Sequence, residues 1–135
     1  MRLMLACLTA LLLALPATAQ PYRERQPEWR TAIDENVLLH PFRYEPRLLQ
    51  LAAGRPVRLH FVNNGRAWLS FRAPRFFAAA HVRRGDRRHL VNGGFRLAPG
   101  ERLSIALVPA PGLYGVESGY VLHRLRGMTA RIVVE

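Results

Sequence analysis

The chain has 135 residues and a formal net charge of +11, from 20 Lys and Arg against 9 Asp and Glu, and every one of those cations is arginine. Half of the residues are hydrophobic, which excludes a disordered polyelectrolyte and gives one domain of ordinary size enough apolar material for a core. The lone cysteine, Cys7, excludes an intramolecular disulfide framework.

Residues 1–19 have the grammar of an export signal: Arg2, an apolar run from Leu3 to Leu15, and Ala17-Thr18-Ala19 before Gln20. Leu5-Ala6-Cys7 resembles a lipoprotein box, but the long apolar run follows Cys7 instead of preceding it. The run is too short to span a bilayer once Pro16 interrupts it, so the mature chain is expected to start at Gln20, to be periplasmic or secreted, and not to cross a membrane. Loss of Arg2 and Cys7 with the signal lowers the charge to +10 and leaves no thiolate for a metal or for nucleophilic catalysis. The uniform use of arginine reads as GC-rich coding, whereas the charge itself draws the chain, in a salt-dependent way, to an acidic protein partner or an anionic surface. Nucleic acid is not expected outside the cytoplasm.

Residues 20–36 are polar and broken by Pro21 and Pro27, an N-terminal arm with one helical turn near Glu28 to Ile33 and with Trp29 and Ile33 as its apolar anchors. Strand grammar starts at Val37. Phe42-Arg-Tyr44 and Leu48 to Leu51 are short apolar runs, and Val57 to Val62 alternates before the turn Asn63-Asn64-Gly65. Leu69-Ser70-Phe71 is a further strand, and Pro74 to Ala80 a short helix, because Pro suits the first turn and Ala the interior. Arg83 to Arg88 reads as a solvated, self-repelling loop or as a docking patch for an acidic partner. Gly94 to Leu97, Arg102 to Leu107, Leu113 to Val116 and Ala130 to Val134 complete seven or eight strands spaced about ten residues apart, the pattern of an antiparallel β-sandwich.

The order of these pieces resembles that of the cupredoxins, the small exported plastocyanin- and azurin-type proteins. Phe42-x-Tyr44-x-Pro46 with Leu49-x-Leu51-x-Ala53-Gly54 is similar to their opening hairpin, and Ala98-Pro99-Gly100-Glu101 to the turn before their penultimate hairpin. Tyr114 to Glu135 resembles their copper-ligand loop. The resemblance covers 37–135 and implies an all-β, cupredoxin-like Greek-key β-sandwich with one short helical segment. It also implies a ligand set of two His, one Cys and one Met, since a thiolate and two imidazoles suit both copper oxidation states and the thioether binds weakly along the axis.

On that resemblance His123 and Met128 match the second His and the axial Met, in the spacing Ser118-x4-His123-x4-Met128. Ser118 stands at the Cys position and Leu69 at the first His position, so two of the four ligands are replaced. The degenerate set leads to a non-enzymatic binding or accessory module without a cofactor. The rival expectation is residual copper handling by His123 and Met128 with a third donor such as Glu117.

The bland readings make His123 a rim residue stacked on Tyr120 and bonded to the backbone, and Met128 a core filler. Trp68 and Phe71 either seal the end of the core or offer a partner contact. His40 reads as loop, His60 as an outward strand residue, and His81 and His89 as flanks of the arginine loop. No two histidines have a metal-site spacing. There is no Gly-x-Ser-x-Gly elbow, no phosphate-binding glycine loop and no paired carboxylates, so the chain is not expected to be an enzyme.

Overall fold

The computed structural model describes residues 26–135; the expected export signal and the first residues of the expected arm lie outside them. After a 3-10 turn at Trp29–Thr31 come β1 (Ile33–His40), β2 (Arg43–Glu45), β3 (Leu48–Leu51), β4 (Val57–Asn63) and β5 (Leu69–Arg72). The helix α1 (Pro74–Ala79) and β6 (His81–Val82) lead to a 3-10 segment at Arg84–His89, then β7 (Gly94–Leu97), β8 (Arg102–Val108), β9 (Gly112–Glu117), α2 (Val121–Leu125) and β10 (Thr129–Val134). Two five-stranded sheets form, in the orders β2-β1-β4-β8-β6 and β3-β10-β9-β5-β7.

The sheets are mixed, not purely antiparallel as the sequence suggested: β1 runs parallel to β4, and β3 parallel to β10. Parallel neighbours need a long connection. Between β1 and β4 the chain supplies one by crossing to the other sheet as β3. The first strand also begins at Ile33, earlier than Val37, and Ile33 is half exposed instead of anchoring the arm. The reason is that β1 projects past the core before its inward positions, Val37 and Leu39, are reached. Trp29 does hold the arm, stacked on His81.

Alternation explains the packing. In β4 the inward Val57, Leu59, Phe61 and Asn63 are all buried, and outward residues lie between them. Facing residues of the second sheet complete the core, where Phe71 meets Tyr44, Phe61, Phe77 and Phe95 with ring centroids 4.8 to 6.2 Å apart. Asn63 is buried because its amide donates to Ala67 O and Leu97 O and its Oδ1 accepts from Gly65 N, which fixes the turn before β5.

The arginine loop is solvated as expected, with Arg84, Arg87 and Arg88 exposed, but it folds as a 3-10 segment around one buried carboxylate. Asp86 is buried, receives both Arg83 Nε (2.9 Å) and Nη2 (3.0 Å), and accepts from Ala106 N on β8 at 2.9 Å. Burial alone would raise its pKa; the Arg83 fork and the Ala106 amide outweigh that and hold the carboxyl below the usual carboxylate range. Asp86 therefore stabilises the fold fully above the unfolded carboxyl pKa of about 4, and the contribution fades as pH falls through the lower folded value. Asp86→Asn is expected to cost about 2 kcal/mol at pH 7 in urea unfolding. Below pH 4 the gap between variant and wild type should narrow; a constant gap would show that the carboxylate charge is not what matters.

Candidate functional site

The expected ligand loop is the connection from β9 to β10, and it contains the helix α2, which the sequence reading treated as loop. Gly127, at φ 84°, follows the helix, and two reverse hydrogen bonds close it: Gly127 N to Arg124 O (3.0 Å) and Met128 N to His123 O (3.0 Å). This is a Schellman closure, in which a residue in the left-handed conformation satisfies the last carbonyls and the next residue turns inward. Met128 is that next residue and is fully buried. Ser118, also fully buried, donates its N–H to Met128 O at 3.3 Å. The loop therefore brings Ser118, His123 and Met128 together.

The fourth position, Leu69, lies at the start of β5 and is 2% exposed. The loop is pinned beside it, since Gly119 N donates to Ser70 Oγ at 3.0 Å and a Cβ at Gly119 would come within 2.9 Å of that oxygen. Ser118 Oγ accepts from Tyr120 N at 3.2 Å. Tyr44 donates to Ser70 O beneath the same loop. Burial pushes the Tyr44 hydroxyl well above the usual phenol range, a hydrogen bond with Ser118 works against that rise, and the charge of Glu117 adds to it. Tyr44, Ser70 and Ser118 are thus three buried hydroxyls, each bonded to backbone of β5 or of the loop.

His123 is half-buried, edge-on to both Phe42 (5.3 Å) and Tyr120 (5.2 Å). Tyr120 is the expected neighbour, but it meets the imidazole edge-on instead of stacked, and the backbone bond is not there: His123 Nδ1 is buried without a hydrogen-bond partner. Around it the end of the sandwich is apolar. Val121, Leu122 and Leu125 share one face of α2 and are 56%, 72% and 77% exposed, so the helix turns its apolar stripe to solvent. Trp68 is half exposed, whereas Phe71 belongs to the core. Phe42 sits in the turn after β1 at φ 63°, a strained conformation for a bulky residue. Arg96 lies over Trp68 and Arg126 over Phe42, 5.3 and 4.9 Å from the ring centroids. Between Trp68 and α2 is a hollow of about 740 Å³.

The other histidines are dispersed. His40 closes β1 and meets Glu45 at 2.8 Å, a strand residue instead of the loop residue expected. Among the described residues no three His, Cys, Asp or Glu side chains gather as metal ligands. On the outer face of the first sheet His60 joins Ser104 Oγ (2.6 Å) to Asp34 Oδ1 (2.7 Å), a chain absent from the sequence reading because its members are 26 and 44 residues from His60. That hydrogen bond from His60 lowers the pKa of Asp34; burial works against it, and Arg58 adds to the lowering. The residues are cross-strand neighbours on an open sheet face, and Arg58 shares the carboxylate at 3.2 Å.

No family model and no curated protein matches the chain. Solved structures do: a dithionite-reduced auracyanin from the photosynthetic bacterium Roseiflexus castenholzii superposes with a TM-score of 0.57 at 18% identity, covering 78% of this chain and 98% of that one. The fold is cupredoxin-like. Auracyanin B gives a TM-score of 0.58 at 22% identity, over 78% of this chain and 90% of its own. A cupredoxin-like sandwich invites the question of copper, and the donors answer it chemically. Leu69 offers an isobutyl group and Ser118 a hydroxyl too weakly acidic to replace a thiolate, so the four positions expected from the resemblance do not fit a type I centre.

Proposed function

We propose that the chain is an exported, non-enzymatic binding module that docks an acidic protein through the apolar end of its sandwich and works without copper. The observation that carries this reading is the outward apolar stripe of α2 facing Trp68, with arginines laid on the flanking aromatics. Large exposed apolar side chains in one place mark contact surfaces, and aromatic and arginine residues are those that anchor interfaces. A net charge of +11, or +10 once Arg2 is removed with the signal, selects acidic partners from a distance.

A specific observation favours one second reading, residual copper handling: His123 Nδ1 is buried and unpartnered beside the Met128 segment. An imidazole and a thioether suit Cu(I). Anaerobic titration of the chain from Gln20 with Cu(I) against a competing chelator separates the two. No competition is expected. Tight one-to-one binding abolished by His123→Ala or Met128→Ala would overturn the copper-free reading in favour of the second.

A further inference from the structure

On the outer face of the second sheet, four arginines line one hollow of about 680 Å³ that reaches Glu117 and Gly127 at the edge of the β9–β10 loop. Arg47 precedes β3 and Arg131 lies on β10 beside it, its N–H donating to Arg47 O at 2.9 Å. Arg72 ends β5, and Arg75 lies in α1. Among the described residues none of the four has a carboxylate within ion-pair distance; Arg72 has only Asn92 O, at 3.5 Å. The single acidic side chain in the hollow, Glu117, is drawn to Arg124 at 3.6 Å. Four like charges that share a hollow with one carboxylate still repel one another, and a bound anion removes that repulsion.

The floor of the hollow is the second observation. Tyr114 and Val116 of β9 point into the core, so Gly115 between them faces outward, directly opposite Arg131. A glycine inside a strand weakens it by roughly 0.5 to 1 kcal/mol. Nothing in the fold demands one here, since a Cβ at Gly115 would meet no atom within 4 Å and its φ is not in the left-handed region. The bare backbone keeps the centre of an arginine ring open.

We infer that this hollow is a binding site for a phosphoryl group or a comparable tetrahedral oxyanion. Guanidinium forks arriving from β3, β10, β5 and α1 suit a group that presents several oxygens in different directions, whereas a planar carboxylate presents two. Inorganic pyrophosphate is the probe, followed by calorimetry with the whole mature chain at low salt, and the expected result is saturable one-to-one binding. Arg131→Gln should weaken it about tenfold, the loss of one charge-assisted pair. Arg102→Gln, an equal change of net charge on the other sheet, should leave it nearly unchanged. Glu117→Gln should tighten binding several-fold, and Gly115→Val should abolish it while leaving urea stability equal or higher. Equal losses from Arg131→Gln and Arg102→Gln, or binding that survives Gly115→Val, would reduce the effect to diffuse charge and overturn the site. Vesicles containing phosphatidic acid, against phosphatidylcholine alone, separate a lipid source from a soluble one. Binding to the acidic vesicles that is lost in Gly115→Val, with none to pyrophosphate, assigns the group to a headgroup. Absence of both overturns the proposal. The Arg131, Arg102 and Gly115 variants alter neither Trp68 nor α2, so their outcome is independent of docking at the apolar end, whereas Glu117→Gln also releases Arg124 of α2.

Discussion

Leu69→His combined with Ser118→Cys is expected to produce an intense blue charge-transfer band on addition of Cu(II), where the wild-type chain gives none. The scaffold for this is already in place. The Schellman closure at Gly127 buries Met128, the Ser118 N–H is tied to Met128 O, and His123 keeps a buried ring nitrogen free of protein partners. What is lacking is chemistry: a soft anionic donor and a second imidazole. Each single variant should stay colourless, because Ser118→Cys alone lacks the second histidine and Leu69→His alone lacks the thiolate. Leu69 is almost fully buried, so its replacement by a polar ring is expected to cost about 1 to 3 kcal/mol without metal, a cost that copper binding offsets. A double variant that folds, by circular dichroism, and still shows no band would mean that the β9–β10 loop is not in the register of a ligand loop.

The spacing from Ser118 to Met128 was readable, but not what lies between them. Val121 to Leu125 is too short for helical periodicity to declare itself, and the five-residue helix depends on its closure more than on its interior. The signal that would have found it was Gly127 followed by an apolar residue, a helix stop read instead as part of a copper motif. This gives Met128 a structural cause that needs no metal: it is the residue that a Schellman closure turns into the core. The strand from Val57 was legible because it alternates cleanly about a buried face, whereas β5 and β8 bury three residues in a row and the two-residue β6 was not read as a strand. Parallel pairing of β1 with β4 and of β3 with β10 was not, since alternation specifies faces and not neighbours. Ile33 misled because apolar character predicts burial only where a facing sheet reaches.

The charged features were harder still. Arg83 to Arg88 reads as repulsion in sequence, yet one carboxylate, Asp86, organises it by receiving Arg83 and a β8 amide together. The arginines of the sheet hollow lie 84 positions apart in the chain at their extremes, Arg47 and Arg131, and only the β3–β10 pairing makes them neighbours. Composition announced a cationic protein; topology decides where the cations meet.

Replacing the apolar end is the test of docking with the largest expected effect. Trp68→Ser, Leu122→Ser and Leu125→Ser together remove three side chains that are 50%, 72% and 77% exposed. Substitutions at such positions, clear of any buried partner, should each change folding stability by no more than about 0.5 kcal/mol. An interface anchored by a tryptophan and two leucines should by contrast weaken at least about a hundredfold, since truncating a central anchor costs about 2 kcal/mol or more. The measurement is capture from an extract of exported proteins on immobilised chain, wild type beside the triple variant. The expected partner is acidic, elutes as salt rises, and is absent from the variant. Salt dependence has to accompany the loss, because Arg96 and Arg126 lie over Trp68 and Phe42 at the edge of the same surface and their attraction is screened within about 10 Å at 0.1 M ionic strength. A partner retained by the triple variant at wild-type strength would move the interface off this end. A partner lost from the variant but indifferent to salt would keep the apolar surface and remove charge from the account of how it chooses.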